Sequence, residues 1–279
     1  MDEPSRSRHI PAMSPPLLLN TRELGAQGVK SGPPLVLLHG LFGMARNLGG
    51  IARAMAPTHR VIALDLRNHG TSPHATPMDY PSMAADVIHT LASLHALPAA
   101  IMGHSMGGKV AMQLALSHAD AVSSLLVSDI APVKYKSRNA PILAAMRAIA
   151  LHPGLTRQAA DTALATAQPD PAIRDFLLQN LRLHDAQSLG PMWRAGLPEI
   201  EAGLPAIEGW EPPQAATYPG RTLFIAGANS HYILPEHREI IRALFPAARF
   251  VTVKNAGHWV HADNPEGFHA VLRAFLGVG

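Results

Sequence analysis

Residues 99–108, AAIMGHSMGG, constrain the fold of this chain more than any other stretch. A short apolar run enters a Gly-x-Ser-x-Gly pattern, and a helix-forming run, residues 109–118, follows at once. This strand–turn–helix sequence is a nucleophile elbow, in which a tight turn holds the serine in a strained conformation. Gly103 and Gly107 lack a Cβ and let the strand and the helix approach closely. The pattern predicts that Ser105 is presented as a nucleophile at the N-terminus of a helix.

Apolar runs alternate with helical patterns along most of the chain. Besides the run before Ser105, predicted strands cover residues 17–19, 35–38, 61–64, 125–129, 222–226 and 249–253. Predicted helices cover residues 47–56, 80–95, 109–118, 235–244 and 265–276. Uninterrupted apolar strands are typical of parallel sheets that are buried on both faces. The alternation therefore predicts an α/β domain with a mostly parallel sheet and helices on both faces.

The alternation stops between residues 133 and 213. This segment has helical patterns joined by proline- and glycine-rich links, and it has no convincing strand. We interpret it as a helical cap inserted into a core that consists of residues 17–132 and 214–279, with residues 1–16 as a disordered leader. The alternative is a separate helical domain that takes no part in catalysis.

The composition argues against several classes of protein. The chain has no cysteine, which rules out disulfides and thiolate metal sites. Its net charge is +3 and its cations are scattered, so we do not expect nucleic-acid binding. No apolar run reaches the roughly 18 residues of a membrane span, and the N-terminal residues lack the apolar core of a signal peptide. The histidines do not show the spacing of metal ligands. We therefore expect a cytoplasmic protein without a bound metal or cofactor.

A serine nucleophile needs a base, and His258 is the candidate among the 16 histidines because it lies between the last predicted strand and the last predicted helix. Asp129 ends the strand that follows the elbow helix, where a carboxylate could orient the imidazole. The loop after the penultimate strand offers only Asn229 and Ser230, and Ser230 could add a supporting hydrogen bond. The alternative role of Asp129 is to cap a turn.

An oxyanion hole requires two backbone N–H groups near the nucleophile. Met106 directly follows Ser105 and supplies the first in this interpretation. The second comes from the loop after the predicted strand 35–38, where Leu41 is preferred and Phe42 is the alternative. His39, in the same loop, is interpreted as a structural hydrogen-bonding residue rather than a base.

Five segments together resemble the α/β-hydrolase superfamily: residues 39–43 (HGLFG), 65–73 (DLRNHGTSP), 103–108 (GHSMGG), 129–132 (DIAP) and 257–261 (GHWVH). Within that superfamily, the DLRNHG and DIAP segments resemble the YbfF-type acyl esterases. The resemblance extends from residue 35 to residue 276 and is least specific in the predicted cap. It implies an α/β-hydrolase fold and cofactor-free hydrolysis of esters or thioesters by a serine. It also supports Asp129 as the acid, because an Asn-Ser pair after the penultimate strand is similar to the pattern of these esterases.

The combined prediction is a serine carboxylesterase that cleaves small-molecule esters of small to medium acyl chains through an acyl-enzyme. An acyltransferase that uses an alcohol or thiol acceptor is the alternative enzyme. A non-catalytic ligand-binding protein on the same fold is a third hypothesis. The sequence leaves the natural substrate and the oligomeric state, including a homodimer, open.

Overall fold

The computed structural model describes residues 15–25, 32–136, 139–183 and 190–277. The strands are β1 (Thr21–Leu24), β2 (Leu35–Leu38), β3 (Val61–Leu64), β4 (Ala99–His104), β5 (Val122–Ser128), β6 (Leu181–Arg182), β7 (Met192–Trp193), β8 (Thr222–Gly227) and β9 (Ala248–Val253). The helices are α1 (Gly49–Met55), α2 (Tyr80–Ser93), α3 (Met106–Ser117), α4 (Ala140–Ala148), α5 (Arg157–Leu164), α6 (Pro171–Leu178), α7 (Leu197–Glu208), α8 (His237–Leu244), α9 (Val260–Asp263) and α10 (Pro265–Leu276). Short 3₁₀ turns cover Ala45–Leu48 and Ala119–Ala121.

Seven strands form one sheet in the order β1-β3-β2-β4-β5-β8-β9. Only the edge strand β1 is antiparallel to its neighbour in this sheet, and the other six strands are parallel. Parallel strands end at the same edge, so the loops after β2, β4, β5, β8 and β9 meet there. The sheet confirms the predicted α/β-hydrolase fold.

The side chains of the central strands alternate between two buried clusters. In β2, Val36 and Leu38 belong to a cluster that includes α2, α3 and the helices between β5 and β8. Leu35 and Leu37 belong to the cluster that packs against α1 and α10. Both faces of the sheet are thus covered, which explains why these strands are continuous apolar runs.

The predicted first strand at residues 17–19 is wrong. The Leu17 N–H donates to Asp86 Oδ1 at 2.7 Å, and the Leu19 N–H donates to Thr90 Oγ1 at 3.0 Å. Side chains of α2 therefore take the backbone donors that a strand would use. The edge strand instead begins at Thr21 and is half exposed, so it lacks an apolar pattern.

Helices α4–α7 lie in the chain between β5 and β8. Two strands of two residues each, β6 and β7, lie between α6 and α7 and form an antiparallel pair, whereas the sequence predicted no strand here. Strands of this length are too short to show the alternation of apolar and polar residues from which a strand is predicted. Side chains tie both ends of the segment to the sheet's helices: Lys109 Nζ donates to the Val133 carbonyl at 2.8 Å, and Trp210 Nε1 donates to Gln113 Oε1 at 2.9 Å.

The predicted disordered leader lies outside the described residues, except for Pro15 and Pro16. In the part of the chain that is described, no helix has both the length and the apolar character needed to cross a bilayer.

Candidate active site

The elbow is built as its sequence pattern requires. Ser105 lies between β4 and α3 with φ +53° and ψ −120°, and its N–H donates to the Ser128 carbonyl at 3.0 Å. A Cβ on Gly103 would overlap the carbonyl of Gly107, and one on Gly107 would overlap the carbonyl of Leu38. Only glycine at these two positions allows α3 to pack so closely on β4 and β2.

Three residues from distant parts of the chain form a hydrogen-bonded line. Ser105 Oγ lies 3.0 Å from His258 Nε2, and His258 Nδ1 lies 2.8 Å from Asp129 Oδ2. Because a carboxylate only accepts, Nδ1 carries the imidazole hydrogen and Nε2 is free to accept from the serine hydroxyl. Asp129 is fully buried, whereas 19% of the His258 side chain is exposed. This arrangement can transfer a proton from Ser105 to His258.

Further donors hold the Asp129 carboxylate. The Gly227 N–H donates to Oδ1 at 3.1 Å, and the Ser230 hydroxyl donates to Oδ2. The Asp129 N–H donates to the Ile225 carbonyl at 2.8 Å, which fixes the backbone beside β8. Ser230 therefore lies beside the carboxylate and does not replace it.

Two contacts that restrain His258 were not predicted from the sequence. The Tyr232 ring stacks on the imidazole with centroids 4.0 Å apart and 23° between the planes. His104 Nε2 donates to the His258 carbonyl at 2.8 Å. Burial lowers the pKa of His104 well below its ordinary value, so its ring is neutral with the hydrogen on Nε2. Both contacts restrain the orientation of His258. The available signal in the sequence was that His104 precedes Ser105 and that Tyr232 lies two positions after Ser230.

The loop after β2 distinguishes the two candidate oxyanion donors. The Phe42 N–H donates to the buried His69 Nε2 at 3.1 Å and is therefore engaged. Among the residues that the structure describes, the N–H groups of Leu41 and Met106 have no protein acceptor. Met106 opens α3, where an N–H has no acceptor within the helix. The geometry favours Leu41 and Met106.

His39 and His69 are built into the scaffold. His39 Nδ1 donates to the Gly40 carbonyl at 2.8 Å, and its Nε2 accepts from the Leu66 N–H at 2.9 Å. Burial lowers the pKa of His39 and lowers that of His69 to about 3. Both rings are neutral, and the ring nitrogens of His39 are already in use. Within the described ranges, no group of three or more potential ligand side chains could hold a metal ion.

Comparisons with known proteins identify the family of this chain. The profile of the alpha/beta hydrolase fold family matches residues 33–265. Esterase YbfF of Escherichia coli K12 is 38% identical over 92% of this chain and 98% of its own length. The sn-1-specific diacylglycerol lipase ABHD11 of mouse is 40% identical over 88% of this chain and 81% of its own length.

A solved structure described as a marine microorganism esterase is 35% identical and superposes with a TM-score of 0.85. It covers 93% of this chain, and this chain covers 99% of it. Sequence and structure therefore agree along nearly the full length. The chain belongs to the alpha/beta hydrolase fold family, among its YbfF-type esterases.

Proposed function

We propose that this carboxylesterase works through an acyl-enzyme on Ser105, with His258 as the general base and acid and Asp129 as the group that orients His258. The unbroken hydrogen-bonded line from Ser105 Oγ through His258 to Asp129 Oδ2 carries the proposal. It has the order and the tautomer that a serine nucleophile requires.

In the acylation step, Ser105 Oγ forms a bond to the ester carbonyl carbon while its proton moves to His258 Nε2. Asp129 stabilises the resulting imidazolium through the bond to Nδ1. The tetrahedral oxyanion lies against the N–H groups of Leu41 and Met106. When the ester C–O bond breaks, His258 returns the proton to the leaving alcohol.

In the deacylation step, a water molecule takes the place of the alcohol. His258 accepts a proton from this water as its oxygen adds to the acyl carbon, and it returns that proton to Ser105 Oγ when the acid leaves. The same two N–H groups stabilise the second oxyanion. No cofactor is needed for either step.

The proposed substrates are small-molecule esters, including thioesters, with small to medium acyl chains, bound under a cap formed by residues 133–213. Two observations support this cap: α4–α7 share a buried cluster with α2 and α3, and Asn180 reaches the loop after β2. A cytoplasmic location is also part of the proposal, since a chain without cysteine suits a reducing compartment.

The test is hydrolysis of p-nitrophenyl esters of increasing acyl length by the wild type and by Ser105→Ala. We expect Ser105→Ala to lose about 10⁴-fold or more in kcat/KM, because it removes the nucleophile. A fluorophosphonate should label the wild type and leave the variant unlabelled. Substantial activity in Ser105→Ala would contradict the proposal.

Product analysis in the presence of an added alcohol separates hydrolysis from acyl transfer. Hydrolysis releases the free acid, whereas acyl transfer gives the ester of the added alcohol. A wild type that cleaves no ester or thioester and resists the fluorophosphonate would point to the non-catalytic alternative.

A further inference from the structure

A buried polar side chain from the segment between β5 and β8, that of Asn180, contacts the loop of residues 39–43. Asn180 follows α6 and has no exposed surface. Its Nδ2 donates to the Phe42 carbonyl at 2.7 Å and to the Leu177 carbonyl at 3.2 Å. The first bond joins residues that are 138 positions apart in the chain.

The contacts determine how the Asn180 amide is oriented. Both partners of the NH₂ group are carbonyl oxygens, so the opposite orientation would place oxygen against oxygen. The backbone of Asn180 is held as well, since its carbonyl accepts from the Arg194 N–H at 2.8 Å. The side chain is therefore a fixed donor directed at Phe42.

Phe42 has a conformation that needs such support. Its φ is +60°, in the left-handed region, which is strained for a residue other than glycine. The N–H of Phe42 is bound by His69 and its carbonyl by Asn180. Together these two bonds hold both polar groups of a strained residue.

The Leu41 N–H lies just before this strained residue. Because a peptide unit is planar, the direction of the Leu41 N–H is linked to that of the Gly40 carbonyl. That carbonyl accepts from His39 Nδ1 at 2.8 Å and from the Gly43 N–H at 2.9 Å. If Phe42 relaxed to negative φ, the turn from Gly40 to Gly43 would open and the Leu41 N–H would rotate.

We propose that Asn180 is a positioning residue for the oxyanion hole: its amide locks Phe42 and thereby aims the Leu41 N–H at the reacting carbonyl. This inference rests on the proposed function, in which Leu41 is an oxyanion donor. It makes the segment between β5 and β8 a part of the catalytic apparatus as well as a cover for the substrate.

The first test compares Asn180→Leu, which keeps the branching at Cγ and removes the donor, with Gln179→Leu. Gln179 also joins this segment to the core, because its Oε1 accepts from Asn47 Nδ2 at 2.7 Å, but none of its hydrogen bonds in the described structure goes to the loop of residues 39–43. Loss of a whole oxyanion donor costs about 10²- to 10³-fold in kcat, so a misaimed donor should cost about 10- to 100-fold. We expect that loss in kcat, with little change in KM, for Asn180→Leu and a near-normal kcat for Gln179→Leu.

The second test uses Asn180→Asp, whose carboxyl group can donate to the Phe42 carbonyl only while it is protonated. We expect kcat of this variant to fall as the pH rises through the ionisation of this carboxyl group, which the wild type lacks. A residue that merely fills space would not produce this fall. If Asn180→Leu shows no cooperative thermal transition and is therefore not folded, Asn180→Asp still tests the inference.

Several outcomes would overturn the inference. A folded Asn180→Leu with a kcat within about 2-fold of the wild type would remove the role, as would an Asn180→Asp profile that superposes on that of the wild type. A rise in KM without a fall in kcat would assign Asn180 to substrate contact. In these cases Ser105→Ala would still be inactive, so the proposed function would stand. An active Ser105→Ala would overturn both.

Discussion

At the scale of single residues, the site depends on left-handed backbone conformations at residues that are not glycine. Ser105 has φ +53°, Asp129 has φ +51° and Phe42 has φ +60°. Such conformations persist only where surrounding hydrogen bonds hold them. Here the backbone N–H of Asp129 is bound by β8, and that of Ser105 by β5. Of the seven non-glycine residues with positive φ that the structure describes, three therefore lie at the proposed site.

The neighbours of the acid predict a graded loss of activity. Asp129→Asn removes the negative charge opposite His258 Nδ1 and permits the wrong tautomer, so we expect about a 10⁴-fold loss in kcat. Ser230→Ala leaves the carboxylate in place and removes one donor to it. A hydrogen bond to a charged group contributes about 1.5–3 kcal/mol to stability, which sets an upper limit, so we expect a loss of at most about 100-fold.

Steady-state kinetics on one p-nitrophenyl ester would test this order, with circular dichroism to check that each variant is folded. If Ser230→Ala were more damaging than Asp129→Asn, Ser230 rather than Asp129 would be the residue that orients His258.

At the scale of elements, the loop between β3 and α2 is fastened by a buried ion pair. Arg67 Nε lies 2.6 Å from Asp86 Oδ2, and Arg67 Nη2 lies 2.8 Å from Oδ1. The two side chains are 1% and 0% exposed. Asp86, in α2, also accepts the Leu17 N–H. One carboxylate thus ties together this loop, α2 and the residues before β1.

Removing one partner of this pair should be costly. Arg67→Met leaves the Asp86 carboxylate buried without its cation, and we expect the free energy of unfolding to fall by about 3–5 kcal/mol. The matched control is Glu23→Gln, which breaks the exposed pair of Arg60 and Glu23 and should cost at most about 1 kcal/mol. Urea unfolding measures both. Equal effects of the two substitutions would show that burial of the ion pair is unimportant.

At the scale of the whole molecule, several histidines are buried in the neutral state. Burial lowers the pKa of His39, brings that of His69 to about 3 and that of His261 to about 4, and places that of His104 well below its ordinary value. In an unfolded chain these groups titrate near pH 6.5. Between about pH 6.5 and pH 3–4, the unfolded chain therefore binds more protons than the folded protein.

Stability should consequently decrease with acidification. The free energy of unfolding falls wherever the unfolded state binds the extra protons, by about 1.4 kcal/mol per pH unit for each such histidine. We expect urea midpoints to drop from pH 7 to pH 5. His69→Gln keeps an acceptor for the Phe42 N–H and should make the dependence shallower, whereas the exposed His118→Gln should not. A midpoint that does not change between pH 7 and pH 5 would contradict this account.

The sequence by itself determined the alternation of strands and helices from β2 to β5 and from β8 to α10, the elbow, and the placement of Asp129 and His258 after strands of a parallel sheet. These features follow from apolar periodicity and from glycine spacing, which are properties of neighbouring residues. The error at residues 17–19 has the same origin, because a short apolar run does not reveal that side chains of α2 take its backbone donors.

Only the tertiary structure decided which donors remain free and which side chains support the site. His69 occupies the Phe42 N–H, Ser230 lies beside Asp129, Tyr232 covers His258, and Asn180 reaches the Phe42 carbonyl. Each contact depends on the direction of a side chain from a distant part of the chain. Close packing in the folded protein sets those directions, and hydrogen bonds form only within narrow limits of distance and angle. No local pattern in a sequence encodes them.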